Sequence, residues 1–478
     1  MSDALTIVQP RLILDDPHAC TDSSDVLAIF GALFDALVRR GPSGWEGALA
    51  TGWEMSDDAR STVFTLRENV RFHDGEPCDA QAVAYCLNRM ARPDMGATLG
   101  APGVYAQYLT GMTVEALGSH TLRVTTAEPI ADLFDILAYG HIVSPRALEQ
   151  AGDDLVKRAV GTGPYRLVSY ERDDHLTAHA NPEHFDGAPR HASLTFRRGA
   201  TSGERLAALV SGTAQIAVGL DRQASAPLAD KGFELIDHLS PTALILLFNA
   251  ASGPLADRRV RLALNLAIDR EALVRDVLGG AGQPLHGYVS PAHEGFDPDA
   301  PAFPVDRARA RDLLAQAGFG GGLRLALYCP TRLPDEAPQL VEALARQLAE
   351  LGVSFDVAFE PDRTVYANQV RLKNIRDICV FDSSPMSSFR VLCEKVDSRV
   401  RGSWWEGYRN PEIEALLDRA RITVDRAQRF EIYRQIYRRL QQDPPWLYVY
   451  NHHRRVGFAG SAPAGAVRED GILDVRVV

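Results

Sequence analysis

Between residues 323 and 359 the apolar positions change period twice. Leu323, Leu325 and Leu327 alternate. Leu340, Val341, Leu344, Leu348 and Leu351 then recur at helical spacing and stop at Gly352, after which Val353, Phe355, Val357 and Phe359 alternate again. Alternation marks a half-buried strand, and three- and four-residue spacing marks a helix with one apolar face. The resulting strand–helix–strand order constrains the fold more than any other feature, because it requires a central sheet with helices packed on it. The neighbouring segments agree. Leu244 to Phe248 is an apolar strand, and Asp257, Asp269 and Asp306 are helix caps. They start helices through Leu264 and Ile268, through Leu273 to Leu278, and up to Gly318. Asn410-Pro411 is a cap followed by a proline at the first helical position. Helices over 411–422 and 425–441 follow, then a strand from Trp446 to Tyr450. The whole body reads as α/β.

The N-terminal half has shorter elements. Residues 5–8 read as a strand and Ser24 to Val38 as a helix. Val63 to Arg67 is a strand, His73-Asp74-Gly75 a turn, and Asp79 caps a helix to about Met90. The Gly-rich stretch 93–113 reads as loop, and Thr121 to Thr125 as a strand. Gly161-Thr162-Gly163-Pro164-Tyr165 is a breaker cluster, followed by strand-like pieces at 166–170, 175–179 and 193–196 and a helix over 202–210.

At 478 residues the chain exceeds a single core, so two or three domains are expected. Hydrophobic residues at 46% exclude wholesale disorder. A formal charge of -11 supplies no phosphate-neutralising surface and argues against nucleic acid. No apolar run approaches the ~18 residues that cross a bilayer. The first eight residues have no basic region followed by an apolar stretch. The protein is therefore expected either to stay inside the cell or to have had an export signal removed. Cys20, Cys78, Cys86, Cys329, Cys379 and Cys393 form no C-x-x-C pair and are expected to be free thiols.

The candidate site is the end of the apolar strand Ile378-Cys379-Val380-Phe381, which runs into Asp382. A carboxylate at the end of a buried strand loses water and favours a cation. Trp404, Trp405 and Tyr408 offer flat contact surface nearby. Arg390 has two readings: its planar fork meets a ligand carboxylate, or it forms an ion pair within the protein. No H-E-x-x-H, G-x-x-x-x-G-K-[ST] or G-x-S-x-G motif is present. Adjacent His452 and His453 point to opposite faces of a strand, a poor metal site. No cofactor, metal or catalytic group is expected.

Taken in order, several segments resemble the family 5 extracellular solute-binding proteins of bacterial ABC importers, the oligopeptide-, dipeptide- and nickel-binding group. They are Ala48-Leu49-Ala50-Thr51-Gly52-Trp53-Glu54, Phe64-Thr65-Leu66-Arg67 and Val70-Arg71-Phe72-His73-Asp74-Gly75. Further on come Gly161 to Tyr165, Asn181-Pro182, Asp257-Arg258-Arg259-Val260-Arg261, Ala267-Ile268-Asp269-Arg270, Leu313 to Phe319, and Tyr408-Arg409-Asn410-Pro411-Glu412.

The resemblance implies a two-lobed α/β clamp. One lobe would hold 1–31, 157–243 and 451–478, with a subdomain inserted at 32–156, and the other would hold 244–450. It implies a monomeric, periplasmic, non-enzymatic receptor that passes a small solute to ABC permease subunits. It also gives Asp382 the role of pairing with a ligand ammonium, with the backbone of Val380 and Phe381 beside it. Two departures bear on the cargo. Ser383-Ser384-Pro385-Met386-Ser387-Ser388 replaces the acidic run common in peptide-binding members, and 390–405 is rich in arginine (Arg390, Arg399, Arg401). A short peptide or another ammonium-bearing molecule is expected. The alternatives are an opine-like or sugar-derived conjugate, a metal chelate, or a role as a cytoplasmic ligand sensor.

Overall fold

The computed structural model describes residues 2–41, 44–95, 103–332, 334–383 and 385–478. Met1, Ser384 and the 96–102 part of the expected 93–113 loop lie outside these. The chain forms two compact units, residues 1–238 with 454–478, and residues 239–453. The boundaries fall inside the Phe233–Phe248 and Trp446–Ala459 strands.

In the second unit, strand Leu323–Pro330 pairs in parallel with Val353–Glu360 on one side and Ile378–Ser383 on the other. Helices Ala337–Ala349 and Arg363–Arg371 supply the crossovers. Ile378–Ser383 also pairs antiparallel with Phe233–Phe248, with Leu244 opposite Asp382. Both faces of this sheet are covered, so Leu244 to Phe248 and Ile378 to Phe381 are buried as continuous runs. Helix Ala337–Ala349 turns Leu340, Val341, Leu344 and Leu348 inward. The caps act as read: Asp257, Asp269, Asp306 and Asn410 each accept backbone N–H groups of the following turn.

The first unit centres on Ser2–Gln9, parallel to both His191–Arg198 and Ile216–Val218. His175–Ala180 and Tyr165–Glu171 extend this sheet antiparallel. A separate antiparallel sheet runs in the order Ala50–Met55, Ser61–Leu66, Thr121–Thr125, Thr113–Gly118.

The breaker cluster has a packing reason. A Cβ on Gly163 would sit 2.6 Å from the Phe34 nitrogen and 2.7 Å from the Ala32 carbonyl oxygen. Only glycine lets the two backbones approach this closely. The Asn181 side chain donates to the Gly163 carbonyl at 3.2 Å, and the Thr162 hydroxyl donates to Asp35 at 2.9 Å. The motif pair Gly161–Tyr165 and Asn181-Pro182 is thus one contact.

Two expectations need correction. The first helix spans Ser24–Leu33 and stops at Phe34, whose backbone is extended, so Leu37 and Val38 are buried outside it. The 93–113 stretch contains a helix, Val104–Leu109. Five of the cysteines are buried, and all six are thiols outside any disulfide. Among the described residues no helix is long and apolar enough to cross a membrane.

Candidate functional site

The carboxyl ends of the parallel strands Val353–Glu360 and Ile378–Ser383 carry the site, the edge at which open α/β sheets present ligand crevices. Ile378 to Val380 are fully buried and Phe381 is 5% exposed. The Asp382 side chain is 30% exposed, between the buried Phe381 and the buried Ser383.

Across from it, Asp362 accepts from the N–H groups of Thr364 and Val365 and starts helix Arg363–Arg371. The first residue of that helix, Arg363, sends Nη2 to 3.6 Å from Asp382 Oδ2. This is an ion pair beyond hydrogen-bond reach. The guanidinium lies 5.4 Å from the ring centres of both Phe381 and Tyr366. Trp404 packs on Phe381 with ring centres 4.9 Å apart, and Tyr328 stacks on Tyr366 at 4.6 Å. The result is a chain of contacts from Trp404 through Phe381, Arg363 and Tyr366 to Tyr328, with the Asp382 carboxylate beside its cation. Tyr366 donates its hydroxyl to the Val380 carbonyl, which ties the helix to the strand. Burial pushes the Tyr366 hydroxyl and the Cys379 thiol well above their ordinary pKa values.

The segment that carries Trp404 is held by its own bonds. The Trp405 indole donates to the Tyr408 carbonyl at 2.6 Å, and the Tyr408 hydroxyl donates to Asp443 at 3.1 Å. Lys373 donates to the Ser403 carbonyl at 2.8 Å and lies 3.5 Å from Glu406. Burial pushes Glu406 up to about 7, against the pull of Lys373.

Of the residues expected to meet a ligand, Val380, Phe381, Asp382 and Trp404 come together. Trp405 supports this group through Tyr408. Tyr408 is 2% exposed and Arg390 is fully buried. Arg390 sits on the wholly buried helix Ser388–Lys395, 3.4 Å from Glu394, which also meets Lys395 at 3.4 Å. The ion-pair reading of Arg390 is the one this geometry fits. Arg399 is likewise engaged, with Asp397 and Asp418. Sequence reasoning missed Arg363. The available signal was an arginine directly after a cap, three residues before an aromatic on the same helix face. Among the described residues no group of three or more His, Cys, Asp or Glu could hold a metal ion.

The fold defines a class. The chain has the mixed α/β fold of two-lobed periplasmic binding proteins. It is similar, with a TM-score of 0.82 and 18% identity, to the ABC transporter-associated periplasmic binding protein DppA from Helicobacter pylori, solved with the peptide STSA. That likeness covers 99% of this chain and 97% of the other. The same TM-score of 0.82, at 23% identity over 99% of this chain and 96% of the other, relates it to AgaA from A. tumefaciens R10, solved with agropinic acid. The sequence then gives the family. The model for bacterial extracellular solute-binding proteins, family 5, matches residues 44–385. The glutathione-binding protein GsiB of Salmonella paratyphi A is 30% identical over 365 residues, 73% of this chain and 68% of the relative. The chain belongs to the family 5 bacterial extracellular solute-binding proteins, and its relatives are binding proteins rather than enzymes.

Proposed function

We propose that this protein is the receptor of an ABC importer and that its cargo is a small peptide-like solute whose ammonium group pairs with Asp382. One observation carries the ligand reading. The Asp382 carboxylate leaves a buried strand, is partly open to solvent, and accepts no hydrogen bond among the described residues. A carboxylate placed this way binds a cation through short, directional, charge-assisted bonds. Phe381 and Trp404 form the apolar wall beside it. Val380, Trp405 and Tyr408 belong to the same proposal as the frame that holds this wall, and Arg390 enters it as an ion pair with Glu394. The family and the glutathione-binding relative support a peptide-like cargo.

The further parts of the proposal are permease subunits as membrane partner, a monomeric state, and a periplasmic location after loss of an export signal. So is the division into 1–31 with 157–243 and 451–478, an inserted 32–156, and 244–450. The family's extracellular character supports the location.

The test is thermal unfolding of the protein against a panel of peptides, opines and metal chelates, because a ligand specific to the folded state raises the midpoint. Asp382→Ala is expected to abolish the rise for every ammonium-bearing ligand. An unchanged rise would remove Asp382 from the site.

A further inference from the structure

Arg363 breaks three local rules. It is the first residue of helix Arg363–Arg371, at the positive end of the helix dipole, where a cation is disfavoured. Its Nη1 is buried without a hydrogen-bond partner among the described residues, and an unmet buried donor calls for an explanation. Its pair with Asp382 is ionic only, with Nη2 3.6 Å from Oδ2. Packing holds the guanidinium all the same. It lies 5.4 Å from the ring centres of Phe381 and Tyr366, and the Tyr366 hydroxyl donates to the strand that carries Asp382. Side chains that break local rules while their surroundings fix them are expected where function needs them.

Arg363 is too far from Asp382 to donate to it and near enough to act on its charge. At this separation a fixed cation offsets much of the field of the carboxylate, and the positive end of the helix adds to it. The carboxylate oxygens keep their acceptor sites, because Asp382 accepts no hydrogen bond among the described residues, and its side chain is 30% exposed. No solute atom has to reach the guanidinium, which acts through space. What the empty site lacks is therefore hydrogen-bond donors rather than positive charge. An ammonium supplies both, and its charge meets the repulsion of Arg363. A hydroxyl supplies a donor without that charge.

We propose that Arg363 sets the charge specificity of the Asp382 site, lowering its preference for an ammonium so that an uncharged donor, the hydroxyl of a 2-hydroxyacyl head, is held in the same place. This rests on the receptor reading above and widens its cargo from ammonium-bearing solutes to hydroxyl-bearing ones. Without Arg363 the carboxylate would lack its fixed cation and would select strongly for a charged donor.

Calorimetric titration of the full chain at pH 7 with two matched peptides tests the assignment. The probes are Ala-Ala-Ala and lactyl-Ala-Ala, which differ only in carrying an ammonium or a hydroxyl on the first α-carbon. On the unmodified protein the ammonium peptide should bind no more than about thirtyfold more tightly, the difference between a charge-assisted and a neutral hydrogen bond. Arg363→Met keeps an apolar stem between the rings and removes the charge. It should widen the ratio about tenfold by strengthening Ala-Ala-Ala, with lactyl-Ala-Ala little changed. Arg363→Lys restores the charge and should bring the ratio back. Asp382→Ala should abolish binding of both peptides. A larger ratio on the unmodified protein, a ratio that Arg363→Met leaves unchanged or narrows, or one that Arg363→Lys fails to restore would each overturn the inference. In those cases loss of binding in Asp382→Ala would leave the receptor reading standing. No binding of Ala-Ala-Ala to the unmodified protein, or binding of either peptide that survives Asp382→Ala, would bring down that reading itself. The ratio on the unmodified protein does not depend on how well a variant folds.

Discussion

Arg363 stands 3.6 Å from the carboxylate of Asp382 and 5.4 Å over the ring of Phe381, the residue that precedes Asp382 in the chain. One cation is thus placed by two consecutive side chains of a strand, one by charge and the other by its ring face. The aromatic contact holds the guanidinium and the carboxylate contact is loose. Loose pairs near solvent contribute about 0–1 kcal/mol to stability. Asp382→Asn should therefore lower the unfolding free energy by about 1 kcal/mol or less in a urea titration while removing ligand binding. A loss above about 3 kcal/mol would make the pair structural.

Trp404 ends the chain of contacts, its ring centre 4.9 Å from that of Phe381. Its neighbours fix its segment: Lys373 through the Ser403 carbonyl and Trp405 through the Tyr408 carbonyl. Trp404→Ala should leave the fold intact and weaken a cationic peptide about three- to tenfold, the size of one aromatic contact. Trp404→Phe should restore most of that. Calorimetry on the two variants checks both. Equal loss in both would point to a role for the indole N–H instead of the ring.

Gly163→Ala is expected to be severe although the residue is far from Asp382 in sequence. The added carbon would meet backbone atoms of residues 32–34, which cannot move aside as a side-chain tip would. A loss of about 2 kcal/mol or more is expected from this overpacking, read as a lowered urea midpoint. An unchanged midpoint would mean that the two segments separate at little cost.

The parts of the fold readable from sequence were those governed by local period and local hydrogen bonds. The strand–helix–strand run at 323–360 appeared because one face of each element is buried and the other is not. Asp79, Asp257 and Asn410 were readable as caps because capping is settled within three residues. Where burial has no period the reading failed. Phe34, Leu37 and Val38 are buried on irregular backbone, so the first helix looked longer than it is. Helix Ser388–Lys395 is buried on every side and has no exposed face, its Arg390, Glu394 and Lys395 included, so it passed for an arginine-rich segment. Asp382 was found as a carboxylate ending an apolar strand. Arg363 was not, because only tertiary packing brings helix and strand ends together.

Arg390→Ala separates the two readings of that residue. Its guanidinium is fully buried beside Glu394. Removal leaves the Glu394 carboxylate with one fewer cation in a water-poor setting, which costs about 3–5 kcal/mol. The expected result is a large fall in the urea midpoint. A stable variant that lost only the binding of anionic ligands would restore the ligand role.

Acid should destabilise the protein before its carboxylates titrate. His18 and His141 are buried, and burial above all pushes each from the ordinary 6.5 down to about 4, helped at His18 by the charge of Arg89. Below 6.5 the unfolded chain takes up protons that the folded one refuses. The stability tied to these groups is therefore complete above 6.5 and is lost as pH falls toward 4. At pH 5.5 the loss is about 1 kcal/mol for each group. Glu406 works the other way. Burial raises it to about 7, so its folded form holds a proton that the unfolded form has released, and stability falls as pH rises from 4.5 to 7. Glu406→Gln should remove this opposing slope and make the acid loss steeper. Urea midpoints at pH 7.5, 6.5, 5.5 and 4.5 for the two proteins measure both effects. A flat profile in Glu406→Gln would show that the two histidines are protonated in the folded state.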